Sequence, residues 1–141
     1  MDNYNLERFI KAQAKDYALA LKEIKNGQKR SHWIWYIFPQ LKDLGYSYNA
    51  KYYGIEDLAE AKAYLANDVL NKHLKEISLE LLKLDKDIIT IVGEIDARKI
   101  QSSMTLFAKA SEDKQIFLDV LAKFYNSKYD ESTLNILNKN L

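Results

Sequence analysis

His32 is the best general base this sequence offers, because an unperturbed imidazole changes charge near neutral pH. It stands in the block SHWIWYIFPQ, residues 31–40, together with both tryptophans of the chain, its only proline and Gln40. Lys29 and Arg30 come just before the block. Aromatic rings beside basic groups can stack a flat ring and hold a phosphate. Trp33 and Trp35 are then the stacking faces, and Lys29 and Arg30 the phosphate contacts. A second block, DARKIQSSMTLF at residues 96–107, carries Asp96, Lys99, Ser102 and Ser103. On a helix Asp96, Lys99 and Ser103 share one side, beside the apolar Ile100, Met104 and Phe107. If the two blocks face one cleft, His32, Asp96 and Lys99 are the catalytic candidates. Asp96 would orient His32 or Lys99, and Ser102 or Ser103 would bind a substrate oxygen. Gln13 adds an amide between Phe9 and Tyr17 on an apolar helix face. That amide serves a pocket edge or bonds another helix's backbone.

Each feature also has a plainer reading. Trp and Phe supply core area. An acid near a helix N-terminus is favoured by the helix dipole, and hydroxyls bond the preceding turn. His73, between Lys72 and Leu74 on a long helix, reads as a surface or half-buried side chain rather than a ligand.

The rest of the chain excludes much. No GxxxxGKS/T, GxGxxG, HExxH or GxSxG pattern occurs. No cofactor motif is present, so hydrolysis or group transfer is expected over redox chemistry. Two histidines far apart with scattered acids make no metal site. Without cysteine there is no disulfide, thiolate ligand or thiol nucleophile, which fits a reducing cytoplasm. The net charge of +1, with no basic block, argues against nucleic acid as a partner. The opening MDNYNLERF has no signal-peptide core, and the longest apolar run is Trp33 to Phe38. A membrane span needs about 20 apolar residues, so a soluble cytoplasmic protein without a membrane partner is expected.

These residues need helices to position them. Leu6, Phe9, Ile10, Tyr17, Leu21 and Ile24 recur at three and four, so a helix capped by Asn5 runs to about Lys25 and stops at Gly27. Ser31 caps a short second helix that ends at Pro39. Residues 41–54, with LGYSYNAKYYG, read as a loop. Glu56 or Asp57 starts the next helix, through Leu58, Ala61 and Leu65. Asn67 or Asp68 starts a longer one with Leu70, Leu74, Ile77, Leu81 and Leu84 on a stripe. Residues 87–92 are β-branched and suit a strand, yet none exists to pair with them. They read as a short helical turn or a lone extended piece. Asp96 opens a helix to about Ala110, Ser111 caps the next through Phe124, and Asp130 or Ser132 caps the last. The sum is an all-α single domain over 1–141, with six or seven helices around one core.

Together the blocks resemble the bacterial family known as domain of unknown function 1810, some members of which are labelled calpastatin-like. That family shows HWMWFIFPQ and a later DxxKLxSSMTLF. HWIWYIFPQ matches seven of the nine positions, with Ile34 for Met and Tyr36 for Phe. Asp96, Lys99 and Ser102 to Phe107 match the later block, with Ile100 for Leu, and Gln13 and Tyr17 fit the first helix. The resemblance spans nearly the whole chain. It implies a compact helical domain and no particular reaction.

Two functions are expected from different classes. The first is binding, or hydrolysis or transfer, of a phosphate-bearing nucleotide-like molecule. The second is a protein-interaction module that uses the tyrosine-rich loop at residues 46–53.

Overall fold

The computed structural model describes residues 4–139. Its described residues form α1 (Glu7–Lys25), α2 (Ile34–Ile37), α3 (Tyr48–Tyr52), α4 (Leu58–Ala66), α5 (Asp68–Leu82), α6 (Ile88–Val92), α7 (Glu94–Ala110), α8 (Gln115–Tyr125) and α9 (Glu131–Lys139). Six of these have nine residues or more, so the expected helical domain is present. Helix α7 is central and packs against α4, α6, α8 and α9, while α1 packs against α5 and α2. The stripes behave as expected. Leu70, Leu74, Ile77 and Leu81 of α5 are buried, and so are Ile100, Met104, Phe107 and Ala108 of α7. No helix among the described residues is long and apolar enough to cross a membrane.

Several expected caps hold. Asp57 accepts from Glu60 N at 2.9 Å, Asn67 from Leu70 N at 3.1 Å and Asp130 from Thr133 N at 3.0 Å. Asp87 caps α6 by accepting from Thr90 N at 2.9 Å, which makes residues 88–92 a helical turn. Other caps fail for visible reasons. Asn5 is left-handed at φ 53°, so Leu6 takes the cap position of α1. Ser31 turns its hydroxyl to Glu23 at 2.5 Å and leaves α2 uncapped. Ser111 closes the C-terminus of α7, and α8 begins only after Lys114. Likewise α7 starts at Glu94 behind Gly93, two residues before Asp96.

The segment 41–54 is more ordered than a loop. A 3-10 turn covers Lys42–Leu44, and Ser47 caps α3 by accepting from Ala50 N at 3.1 Å. Leu41 and Ile55 form a parallel bridge that closes the segment at its base. Its glycines permit close packing. A Cβ on Gly45 would lie 2.3 Å from Ala50 Cβ, and one on Gly54 would lie 2.4 Å from Lys42 Cα. Buried Arg8 ties the segment to α1 and α4. Its guanidinium donates to Tyr52 O at 2.8 Å and Gly54 O at 2.9 Å, and pairs with buried Glu60 at 2.9 Å.

Candidate functional site

Glu23 holds the start of the 31–40 block and the Arg30 backbone just before it. This carboxylate accepts from Arg30 N at 2.9 Å, Ser31 N at 3.0 Å, Ser31 Oγ at 2.5 Å and Trp33 Nε1 at 2.9 Å. Burial alone would raise its pKa. The donors from Ser31, Arg30 and Trp33 outweigh burial and hold it down at about 2. Gln13 holds the middle of the block. Its Nε2 donates to Tyr36 O at 2.8 Å and Tyr64 Oη at 2.9 Å, and its Oε1 meets His73 Nδ1 at 2.8 Å. An amide oxygen only accepts, so Nδ1 of His73 carries the proton. The His73 ring stacks on Tyr17 with centroids 3.7 Å apart, and burial pushes its pKa below the usual range. Gln13 is therefore an interior strut between α1, α2, α4 and α5, not an amide at a pocket edge. His73 is half-buried, as the sequence suggests.

The two tryptophans part company. Trp33 is 1% exposed and its Nε1 is bonded to Glu23, so its ring is core and not a stacking face for a ligand. Trp35 is half-buried, and its Nε1 is buried without a hydrogen-bond partner among the described residues. Lys99 lies over the Trp35 ring, with Nζ 5.6 Å from the centroid. Among the described residues, Lys99 forms no ion pair. Trp35, Lys99 and Gln40 line one small hollow, with about 10 Å³ of enclosed space, together with Ile34, Phe38, Ala50, Tyr53 and Gly54. Among the described residues the Gln40 side chain makes no hydrogen bond, while its backbone oxygen accepts from Ile55 N at 2.9 Å. This slot lies where α2, the 45–54 segment and α7 meet.

His32 and Asp96 lie elsewhere. They line a shallow hollow with Arg30, Ser31 and the start of α7, including Gly93 and Glu94. His32 is exposed, and among the described residues its imidazole makes no hydrogen bond. Asp96 pairs with Lys29 at 2.8 Å and so orients neither His32 nor Lys99. Lys29 has a side chain only 7% exposed, sits 4.9 Å from the Trp33 ring centroid and donates to Ser31 O at 2.5 Å. Its ammonium fastens the 29–33 turn to α7 and leaves no charge free for a phosphate. Arg30 is exposed, with Nη2 bonded to Gln28 at 3.1 Å. The expected single cleft is thus two hollows, with Lys99 in one and His32 and Asp96 in the other. Among the described residues no three His, Asp or Glu side chains group to hold a metal.

The two serines also separate. Ser102 Oγ donates to Arg98 O at 3.1 Å, the preceding-turn bond its position on a helix allows. Ser103 is fully buried on α7, one turn beyond Lys99, and its Oγ has no partner among the described residues. An unpaired buried hydroxyl is costly, so Ser103→Ala should stabilise the protein by about 1 kcal/mol. Urea unfolding measures this, and a loss of stability would mean the hydroxyl has a hidden partner.

A family model described as "Protein of unknown function (DUF1810)" matches residues 3–137. The chain belongs to this family. The crystal structure of the conserved hypothetical protein Rv1873 from Mycobacterium tuberculosis is similar, with a TM-score of 0.95 and 42% identity, covering 97% of this chain and 99% of that one. No curated protein matches the chain. The two DUF1810 blocks read from the sequence meet in space at the Trp35–Lys99 slot, and Lys29, just before the first block, pairs with Asp96 of the second. Sequence reasoning missed Glu23 and Arg8, the two residues that hold these surfaces in place.

Proposed function

We propose that the protein binds a small phosphate-bearing, nucleotide-like molecule through the slot between α2, the 45–54 segment and α7. One observation carries this reading. Trp35, Gln40 and Lys99 line one slot, and among the described residues none of their side chains has a hydrogen-bond or ion-pair partner. Buried polar groups are normally paired, and unpaired ones call for a ligand or water. Trp35, Phe38 and Tyr53 supply the aromatic wall that a flat ring needs, and Lys99 supplies the charge for an anion. The enclosed space of the slot is about 10 Å³, room for about one water, so a flat ring rests on the outer edge of this wall and not inside it. Binding is preferred to catalysis because no general base lines the slot.

A thermal-shift screen against nucleoside mono- and diphosphates tests this. A ligand present at about 100 times its Kd stabilises the native state by about 2.7 kcal/mol, which is readily seen as a rise in Tm. The rise should vanish in Lys99→Ala and persist in His32→Ala. A rise lost only in His32→Ala would move the site to the other hollow.

A second reading has its own support. Tyr46 is 90% exposed and Tyr48 is 77% exposed, and Tyr48 stacks on Tyr52 with centroids 5.8 Å apart. Such a surface suits a protein partner.

A further inference from the structure

The lysines of α1 are sorted onto one side of the helix. At about 100° per residue, Lys11, Lys15, Lys22 and Lys25 fall within an arc of about 80°. That arc lies opposite the buried face of Phe9, Gln13, Tyr17, Ala20 and Ile24. All four lysines are exposed, and among the described residues none forms an ion pair. Acids close by are already engaged. Glu23 is buried beneath its donors, and half-buried Asp16 accepts from the Tyr36 hydroxyl. On the neighbouring α5, Glu76 accepts from Tyr17 at 2.6 Å and Glu80 pairs with Lys83 at 3.0 Å. Glu7, in the first turn, is the exposed acid of α1. The chain's net charge of +1 therefore averages over acids that turn inward and lysines that turn outward. Lys22 and Lys25 suit the C-terminal end of the helix dipole, but Lys11 and Lys15 do not. Each pair also sets like charges one turn apart, a repulsion that a negative partner relieves.

We infer that this face of α1 docks a nucleic-acid duplex through its phosphates, without reading its sequence. The strip is about 21 Å long from Lys11 to Lys25. A duplex carries one charge per about 1.7 Å of its axis, so phosphates lie within reach along the whole strip. Ala14 and Ala18 between the lysines are small and let the helix ridge come close. No aromatic side chain stands on the arc to enter a bilayer or to anchor a protein interface. No outward Arg, Asn or Gln between Lys11 and Lys25 meets a base edge, so the contacts are to the backbone alone. The strip shares no residue with the Trp35–Lys99 slot and stands independently of binding there.

Fluorescence anisotropy of the full chain with a short mixed-sequence DNA duplex, over a range of salt, tests this. Four phosphate contacts give a log–log salt slope of about −3.6, a loss of about 150-fold in affinity between about 50 and about 200 mM salt. A second duplex of scrambled sequence should bind within about threefold of the first. Lys11→Gln combined with Lys15→Gln should bring the slope to about −1.8 and leave the Tm within about 2 °C, since both side chains are exposed. Lys62→Gln combined with Lys114→Gln, exposed lysines elsewhere on the molecule, should leave the slope unchanged. No binding at about 50 mM salt, a slope unchanged in the Lys11 and Lys15 variant, or an equal loss in the control would overturn the assignment. So would refusal of the duplex alongside binding to phosphatidylcholine vesicles with about 30% phosphatidylserine, which would make this face a membrane contact.

Discussion

Glu23→Ala is expected to destabilise the protein by about 4 kcal/mol, a fall in Tm of about 12 °C, because it leaves two backbone donors, the Ser31 hydroxyl and the buried Trp33 indole without their acceptor. Thermal unfolding at neutral pH measures it. The same carboxylate sets a pH dependence. Its ordinary value is 4.5 and here it titrates at about 2, so ionised Glu23 contributes about 3 kcal/mol above pH 4.5. A lowered acid loses its contribution as pH falls, here between about 4.5 and about 2. Wild type should therefore exceed Glu23→Gln most at neutral pH, and the gap should narrow toward pH 2 to 3. A gap independent of pH would show that the charge on Glu23 is not what its donors need.

Arg8→Ala should cost a similar amount, about 4 kcal/mol, since removing one partner of a buried ion pair strands the other. Glu60 is 2% exposed and would keep a buried charge with its partner gone. The carbonyls of Tyr52 and Gly54 would lose their donor as well. Adding Glu60→Gln to Arg8→Ala should recover part of the loss, because the stranded charge is then gone. Chemical denaturation of the single and double variants closes that cycle. Tyr53 and Gly54 line the slot, so Arg8→Ala should also weaken any ligand that rests on that wall. Purely additive losses would mean that Arg8 and Glu60 do not stabilise one another.

What the sequence reveals follows from how local each signal is. The apolar stripe of α5, and the caps at Asp57, Asn67 and Asp130, are legible because periodicity and capping are written within a few residues. α3 is hidden in a run of tyrosines, glycine and asparagine that looks like a loop, and only Ser47 hints at it. Its order comes from Arg8, more than 40 positions away in sequence. Glu23 sits among Lys22, Ile24 and Lys25 and reads as a solvated helix charge. Its partners lie past a turn, so nothing local marks it as the anchor of the next block. Trp33 and Trp35 look equivalent in the chain. The entry into α2 sends one to Glu23 and the other beneath Lys99, and no spacing rule separates them. Asp96, Lys99 and Ser103 do share a helix side, but Lys29 reaches Asp96 first. That long-range pair divides the expected cleft.

The most direct measurement is a titration of the indole N–H signals by heteronuclear NMR. The chain has two tryptophans, so two such signals identify themselves through Trp33→Phe and Trp35→Phe. With a nucleotide that raises the Tm, the Trp35 signal should move as the ligand settles against its ring. The Trp33 signal, bonded to Glu23, should stay in place. A ligand that raises the Tm while the Trp35 signal does not move would contradict binding at the slot.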